Sequence, residues 1–220
     1  MLSVENLASI ESEGRRLALT ARREPDRPVP QYPGWTLADL VSHVASIHGR
    51  TKQVVEELPG ERISAPRLPE GADAIDWYEE TLEEMLAVLR DADPTAPCWG
   101  FWPESSVGLW ESRMVVETGV HRWDAYQAFG EQDRLTDHVA LSGLEEFPVL
   151  WLPRLGEVQP LGLTATDLGK SWLFGGEEAS SSVEATASDI YLRLMSRPSP
   201  VDLPEDWAAA VDGLEPPPKR

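Results

Sequence analysis

Glu117-Thr118-Gly119-Val120-His121-Arg122-Trp123-Asp124 is the stretch that decides how this chain folds and what it can hold. It sits inside an apolar-periodic segment that predicts a helix over about 107–129, closed by Gly130 as a C′ residue. On that helix Glu117 and His121 are four apart, so both side chains leave one face, one turn from each other. Met114, Ala125 and Ala128 share the face, which makes it a buried stripe. An ionised carboxylate buried without a partner costs several kcal/mol, so the pair needs a reason to be there. A divalent metal supplies one, and a spacing of four suits two ligands on one helix. Two alternatives answer the same need: a hydrogen-bonded Glu–His pair, or Glu117 paired with Arg113 one turn earlier.

The segment is one of several helical patterns in the chain. Residues 4–23 place Leu7, Ile10, Leu17, Ala18 and Ala21 near one stripe, and the proline-rich stretch 23–34 ends that helix. Thr36 then suits an N-cap answered by Asp39, with Trp35 placed to staple onto Leu40. A second helix runs to about Leu58 with apolar residues at spacings of three and four, and a third covers about 74–90. A fifth spans about 137–152, starts from Thr136 or Asp137 and is interrupted by Pro148. After Pro153 the texture changes to short β-favouring segments at 158–166, 171–174 and 182–187, followed by a helix over 188–197 capped by Ser188. The expected fold class is α+β, an antiparallel four-helix bundle over 1–153 followed by a small α/β domain over 154–213. The proline-rich tail 214–220 is expected to be disordered.

The second helix carries His43 and His48. Five residues apart, they are separated by roughly 140° around the axis, so they do not both reach one ion. His48 projects near the middle of the apolar face and His43 at its flank; the helical wheel does not choose between them. Asp39, one turn before His43, is placed to orient its second ring nitrogen. Asp124, three residues after His121, fits either a supporting carboxylate or a solvated acid. Trp99, Phe101 and Trp102 fit either a cavity wall or a small satellite core. Cys98 reads as a bystander, and His138 opens the fifth helix as a capping or solvent-facing residue.

Composition limits the function classes. With 38 acidic against 19 basic residues and a net charge of −19, the chain repels phosphate backbones and anionic lipid, which argues against nucleic-acid or membrane binding. No apolar run approaches the ~18 residues of a membrane span. The N-terminus reads as an amphipathic helix and not as a signal peptide. One cysteine cannot form an internal disulfide, in keeping with a reducing, cytoplasmic location.

Three blocks carry a family resemblance. Tyr32-Pro33-Gly34-Trp35-Thr36-Leu37-Ala38-Asp39-Leu40-Val41-Ser42-His43-Val44 resembles the N-terminal signature of the mycothiol-dependent maleylpyruvate isomerase family, related to the DinB-like bundles. Glu117 to Ala125 resembles that family's second motif, and Thr186 to Arg197 its C-terminal helix, with Ser196 where glycine is usual. The resemblance implies that His43, Glu117 and His121 bind zinc, choosing His43 over His48. Two imidazoles and a carboxylate leave a position open, the pattern of a catalytic site. It implies further that mycothiol enters that position as a thiolate and adds to an electrophilic or cis-enone acid, giving isomerisation or thiol transfer. Arg197 matches the arginine that closes the family's C-terminal helix, a candidate to hold the substrate's carboxylate. The partners implied are a small-molecule thiol and a small acidic or electrophilic substrate. Two other readings use the same residues: a bundle that binds metal and ligand without turnover, and a non-haem iron centre, which shares the ligand set.

Overall fold

Thr36 starts the second helix as its sequence predicts. Its hydroxyl accepts the Asp39 N–H at 3.3 Å, and the Asp39 carboxylate accepts the Thr36 N–H at 2.8 Å, a reciprocal capping box. The computed structural model describes residues 4–214, so the tail expected to be disordered lies, past Leu214, outside the described residues. Four long helices come first: α1 (Val4–Arg23), α2 (Leu37–Glu57), α3 (Ala74–Asp91) and α4 (Val107–Gln127). Asp73 caps α3, accepting from the N–H groups of Ile75 and Asp76.

Side-chain pairs fix the helix directions. Arg22 of α1 meets Asp76 and Glu79 of α3 while Arg15 meets Glu83, so α1 and α3 are antiparallel. His48 meets Thr118 and Thr51 donates to Met114 Sδ, so α2 and α4 are antiparallel too. Lys52 reaches Glu84 and His48 packs on Tyr78, which makes α2 parallel to α3. Arg16–Tyr126 and Glu13–Arg122 make α1 parallel to α4. The bundle therefore runs up, down, down, up. Parallel neighbours need a long return, and residues 58–73 supply it. Pro66 in that return packs closely on α2: a Cβ on Gly49 would stand 2.5 Å from its Cγ.

The core of the bundle is built from Leu17, Leu37, Leu40, Tyr78, Leu82 and Trp110, all essentially without solvent contact. Helix α4 differs from the single stripe its sequence suggests. Every residue from Met114 to Ala125 is buried, so the helix is enclosed on all sides.

The break between compact units falls between Asp133 and Arg134. The second unit contains α5 (Asp137–Leu150), a 3₁₀ turn (Leu152–Arg154), β1 (Leu161–Ala165), β2 (Lys170–Phe174), β3 (Ser181–Ala185), α6 (Ala187–Leu194) and α7 (Glu205–Asp212). Helix α5, whose sequence continues the helical texture, groups here through α6: a Cβ on Gly143 would stand 2.4 Å from the Tyr191 ring. The sheet order is β2-β1-β3, with β1 antiparallel to β2 and parallel to β3. Phe147, Phe174 and Trp207 stack in its core. Two expectations are corrected. Thr186, not Ser188, caps α6, because Thr186 and Asp189 have the spacing for a cap, while the Ser188 hydroxyl accepts the Leu135 N–H at 3.0 Å. Helix α7 was not expected; its eight residues are too few for a clear period, and Trp207 anchors it by donating to Gln159 O at 2.7 Å.

Candidate metal centre

Helix α2 places His43 opposite the middle of α4, where Glu117 and His121 point from adjacent turns. Glu117 Oε1 lies 3.4 Å from His43 Nε2 and 3.3 Å from His121 Nε2. All three side chains are less than a tenth exposed, and one ligand atom from each lies within 4.8 Å of the others. Good N–H···O bonds are 2.7–3.2 Å long, so these contacts are slack as hydrogen bonds. They match instead the ~3.3 Å edge of a tetrahedron whose centre sits ~2.0–2.1 Å from nitrogen and oxygen ligands. The residues fit a metal of that size.

The surroundings prepare each ligand. His121 Nδ1 lies 3.0 Å from Asp124 Oδ2, a fully buried carboxylate that fixes the ring and leaves Nε2 facing Glu117. Burial pushes the His121 imidazole down, but the bond to Asp124 and the charge of Glu117 outweigh it and raise its pKa. Burial alone would raise Glu117; Arg113, one turn earlier and paired with Oε2, together with His121 and His43, holds it well below the usual carboxylate range. The carboxylate is thus ionised. Glu117 makes both pairings that its sequence position allows, on different oxygens: the histidines at Oε1, Arg113 at Oε2.

Aromatic side chains from the α1–α2 connection cover the histidines. Tyr32 and Trp35 stack with centroids 4.9 Å apart; Tyr32 lies 5.8 Å from the His121 ring and Trp35 5.3 Å from that of His43. Their role at the site was missed from sequence, although both stand in the block that carries the resemblance. Trp99 and Phe101 instead pack around Trp110 and the Arg50 guanidinium, with Trp102 against Phe101.

His48 is fully buried with Nε2 3.0 Å from Thr118 Oγ1, and burial drives its pKa down to about 3, so it is neutral. Asp39 has Oδ2 engaged in the capping box. Cys98 is half-buried, and burial pushes its thiol up, away from a reactive thiolate. His138 is half-buried in the first turn of α5. Arg197 lies in the second unit just past α6, mostly buried, its Nη1 donating to Met195 O at 3.0 Å.

A family model described as the mycothiol maleylpyruvate isomerase N-terminal domain matches residues 7–126, more than half of the 220-residue chain. The chain belongs to that family. The match spans His43, Glu117, His121 and the aromatic cover. Solved structures share the mycothiol maleylpyruvate isomerase architecture. A crystal structure of a histidine-to-alanine mutant of the mycothiol-dependent maleylpyruvate isomerase is similar with a TM-score of 0.72 at 13% identity. A crystal structure of the mycothiol-dependent maleylpyruvate isomerase gives 0.69 at 12%. Each covers 91% of this chain and 94% of the other, which establishes the DinB-like fold with its C-terminal α/β part. No curated protein sequence matches. Among the described residues no helix is long and apolar enough to cross a membrane.

Proposed function

We propose that this member of the mycothiol maleylpyruvate isomerase family is a metal-dependent enzyme that uses mycothiol as a thiol cosubstrate on an electrophilic or cis-enone acid. The observation that carries the reading is the spacing of the buried donor atoms: 3.3 and 3.4 Å from one ionised carboxylate oxygen to two imidazole nitrogens. His43, Glu117 and His121 would hold the ion, most simply zinc, given two nitrogen donors and one oxygen. Bound there with an open position, the ion would lower the pKa of an entering thiol and keep it as thiolate near neutral pH.

The chain's own residues do the rest. Asp124 holds the His121 ring so that Nε2 is turned toward Glu117, where it would serve as a ligand. Tyr32 and Trp35 exclude water from the histidine side, which strengthens electrostatic interactions at the site. Arg197, with a planar fork suited to carboxylates, is the candidate to hold the acid group of the substrate. In an isomerisation the thiolate adds to the cis double bond and the electron pair moves onto the conjugated carbonyl oxygen. Rotation about the new single bond follows; the pair then returns and expels the thiolate, leaving the trans acid and unchanged thiol. In a thiol transfer the same adduct takes up a proton and is released.

A panel of cis-enone acids and simple electrophiles, assayed with mycothiol after loading with zinc or iron(II), tests this reading. Turnover that needs zinc and thiol together supports it. Metal binding with no thiol-dependent turnover of any class would leave a binding protein and defeat the enzymatic proposal.

A further inference from the structure

Four aromatic rings close a circuit at the metal centre. Tyr32 stacks on Trp35 with centroids 4.9 Å apart, and Trp35 lies 5.3 Å from His43. His43 meets His121 edge-on at 5.4 Å, and His121 lies 5.8 Å from Tyr32. Aromatic pairs attract at these separations. All four residues are less than a tenth exposed. The two histidines come from different helices, α2 and α4, whereas Tyr32 and Trp35 are the two ends of one tight turn.

That turn is built from its own backbone. Pro33 and Gly34 hold its central positions, Gly34 has φ +82°, and the Trp35 N–H donates to Tyr32 O at 2.9 Å, the pattern of a type II turn. The Tyr32 N–H donates to Val29 O at 3.1 Å and the Val29 N–H to Trp35 O at 3.0 Å, which ties the turn to the chain before it. Thr36 follows at once as the cap of α2, so the turn is fixed to the helix that carries His43. A Cβ on Gly34 would meet no atom within 4 Å, so glycine serves its backbone angle and not a lack of space. Packing alone accounts for one ring against one histidine. Here both ends of one turn each cover a different ligand, and the ligands come from different helices.

We propose that Tyr32-Pro33-Gly34-Trp35 is a clamp that holds the His43 and His121 rings in their ligating orientation before an ion arrives. Tyr32 and Trp35 act through the histidines, so they are positioning residues. Outer supports of this kind govern metal affinity by fixing the ligand rings. The purpose of the clamp rests on the metal reading above; its hold on the rings is measurable without metal.

The test uses full-length protein stripped of metal, then titrated with zinc against a chromophoric chelator. Trp35→Leu and Tyr32→Leu are expected to weaken zinc binding by on the order of tenfold or more. Trp35→Phe and Tyr32→Phe keep a ring and should retain most of the affinity. Gly34→Val strains the left-handed angle and should weaken binding with both rings intact, while Gly34→Asn, which enters that region more readily, should preserve it. A loss of stability that leaves the chain folded does not change the dissociation constant, so urea midpoints of the metal-free variants separate a structural role from a positioning one. In the metal-free protein, the ring-proton NMR signals of His43 and His121 are expected to be dispersed and single in wild type. They should broaden or converge in Trp35→Leu and Gly34→Val, with the signal of His48, which packs on Tyr78, unchanged. Unaltered zinc affinity in both leucine variants, or equal losses in the leucine and phenylalanine variants, would overturn the proposal. If wild type binds no zinc, the metal reading fails by itself and the histidine signals decide: no change in either variant overturns the clamp. Should the leucine variants not fold, Gly34→Val against Gly34→Asn decides on the same two readouts.

Discussion

Helix α4 carries two buried polar clusters on opposite sides, and they are built differently. On one side Arg122, with no exposed surface, pairs with Glu13 and Asp133, and Arg16 reaches the same two acids at 3.3 and 3.0 Å. Two cations meet two anions there, and the pairing is complete within the protein. On the other side the carboxylate and the imidazoles stand 3.3–3.4 Å apart, beyond good hydrogen-bonding length. The first cluster locks α4 against α1. The second has donor atoms at the separation of a tetrahedral metal's ligands.

Breaking the closed cluster should cost most. Arg122→Met removes the closer partner of Glu13, which is only 2% exposed, and leaves it with the half-exposed Arg16 at 3.3 Å. Removing one partner of such a buried network costs about 3–5 kcal/mol, to be read as a lowered urea midpoint with the slope unchanged. The open cluster should behave in the opposite sense, gaining stability from outside. Zinc at about a thousand times its dissociation constant is expected to add about 4 kcal/mol, removable by chelator and absent in Glu117→Gln.

Acid should separate the clusters further. The His121 pKa is raised in the metal-free chain, so its proton persists to higher pH than on free imidazole. A metal must displace that proton, so apparent affinity should rise with pH across and above ~6.5. His48 has the opposite sign. Its folded pKa of about 3 lies below the unfolded value of about 6.5, so the stability it contributes is whole above 6.5 and is lost as pH falls toward 3. A His48→Gln variant should show a shallower acid decline in a urea series from pH 7 to 4. The smallest effect lies in the second unit, where Ser196 closes α6 with φ +59°, in a motif completed by Arg197 N–H to Leu192 O. Ser196→Gly relieves the left-handed strain but loses the hydroxyl contact with Asp212, so a gain of about 0.5–1 kcal/mol in thermal unfolding is expected.

Much of this was legible in the sequence because local chemistry repeats itself there. Thr36 and Asp39 announce the start of α2, Gly130 follows the end of α4, and the four-residue spacing of Glu117 and His121 survives as one face. What was not legible has physical causes. Helix α4 is buried all round from Met114 to Ala125, so no period distinguishes the face holding Glu117 from the one holding Arg122. His43 and His48 both lie in buried parts of α2, and only the partner helix separates them: His43 meets Glu117, His48 meets Thr118. Tyr32 and Trp35 reach the histidines through a connection whose path no helical period encodes. The compact unit beginning at Arg134 was likewise hidden, because α5 has the same texture as the bundle helices while its partner, α6, comes 37 residues after its end.

Metal stoichiometry after chelator stripping and reloading with zinc, measured on wild type, His43→Ala, Glu117→Gln, His121→Ala and His48→Gln, tests the central claim most directly. One zinc per chain is expected for wild type and for His48→Gln, with loss in the other three. Full stoichiometry in His121→Ala, or a requirement for His48 with none for His43, would contradict the site described.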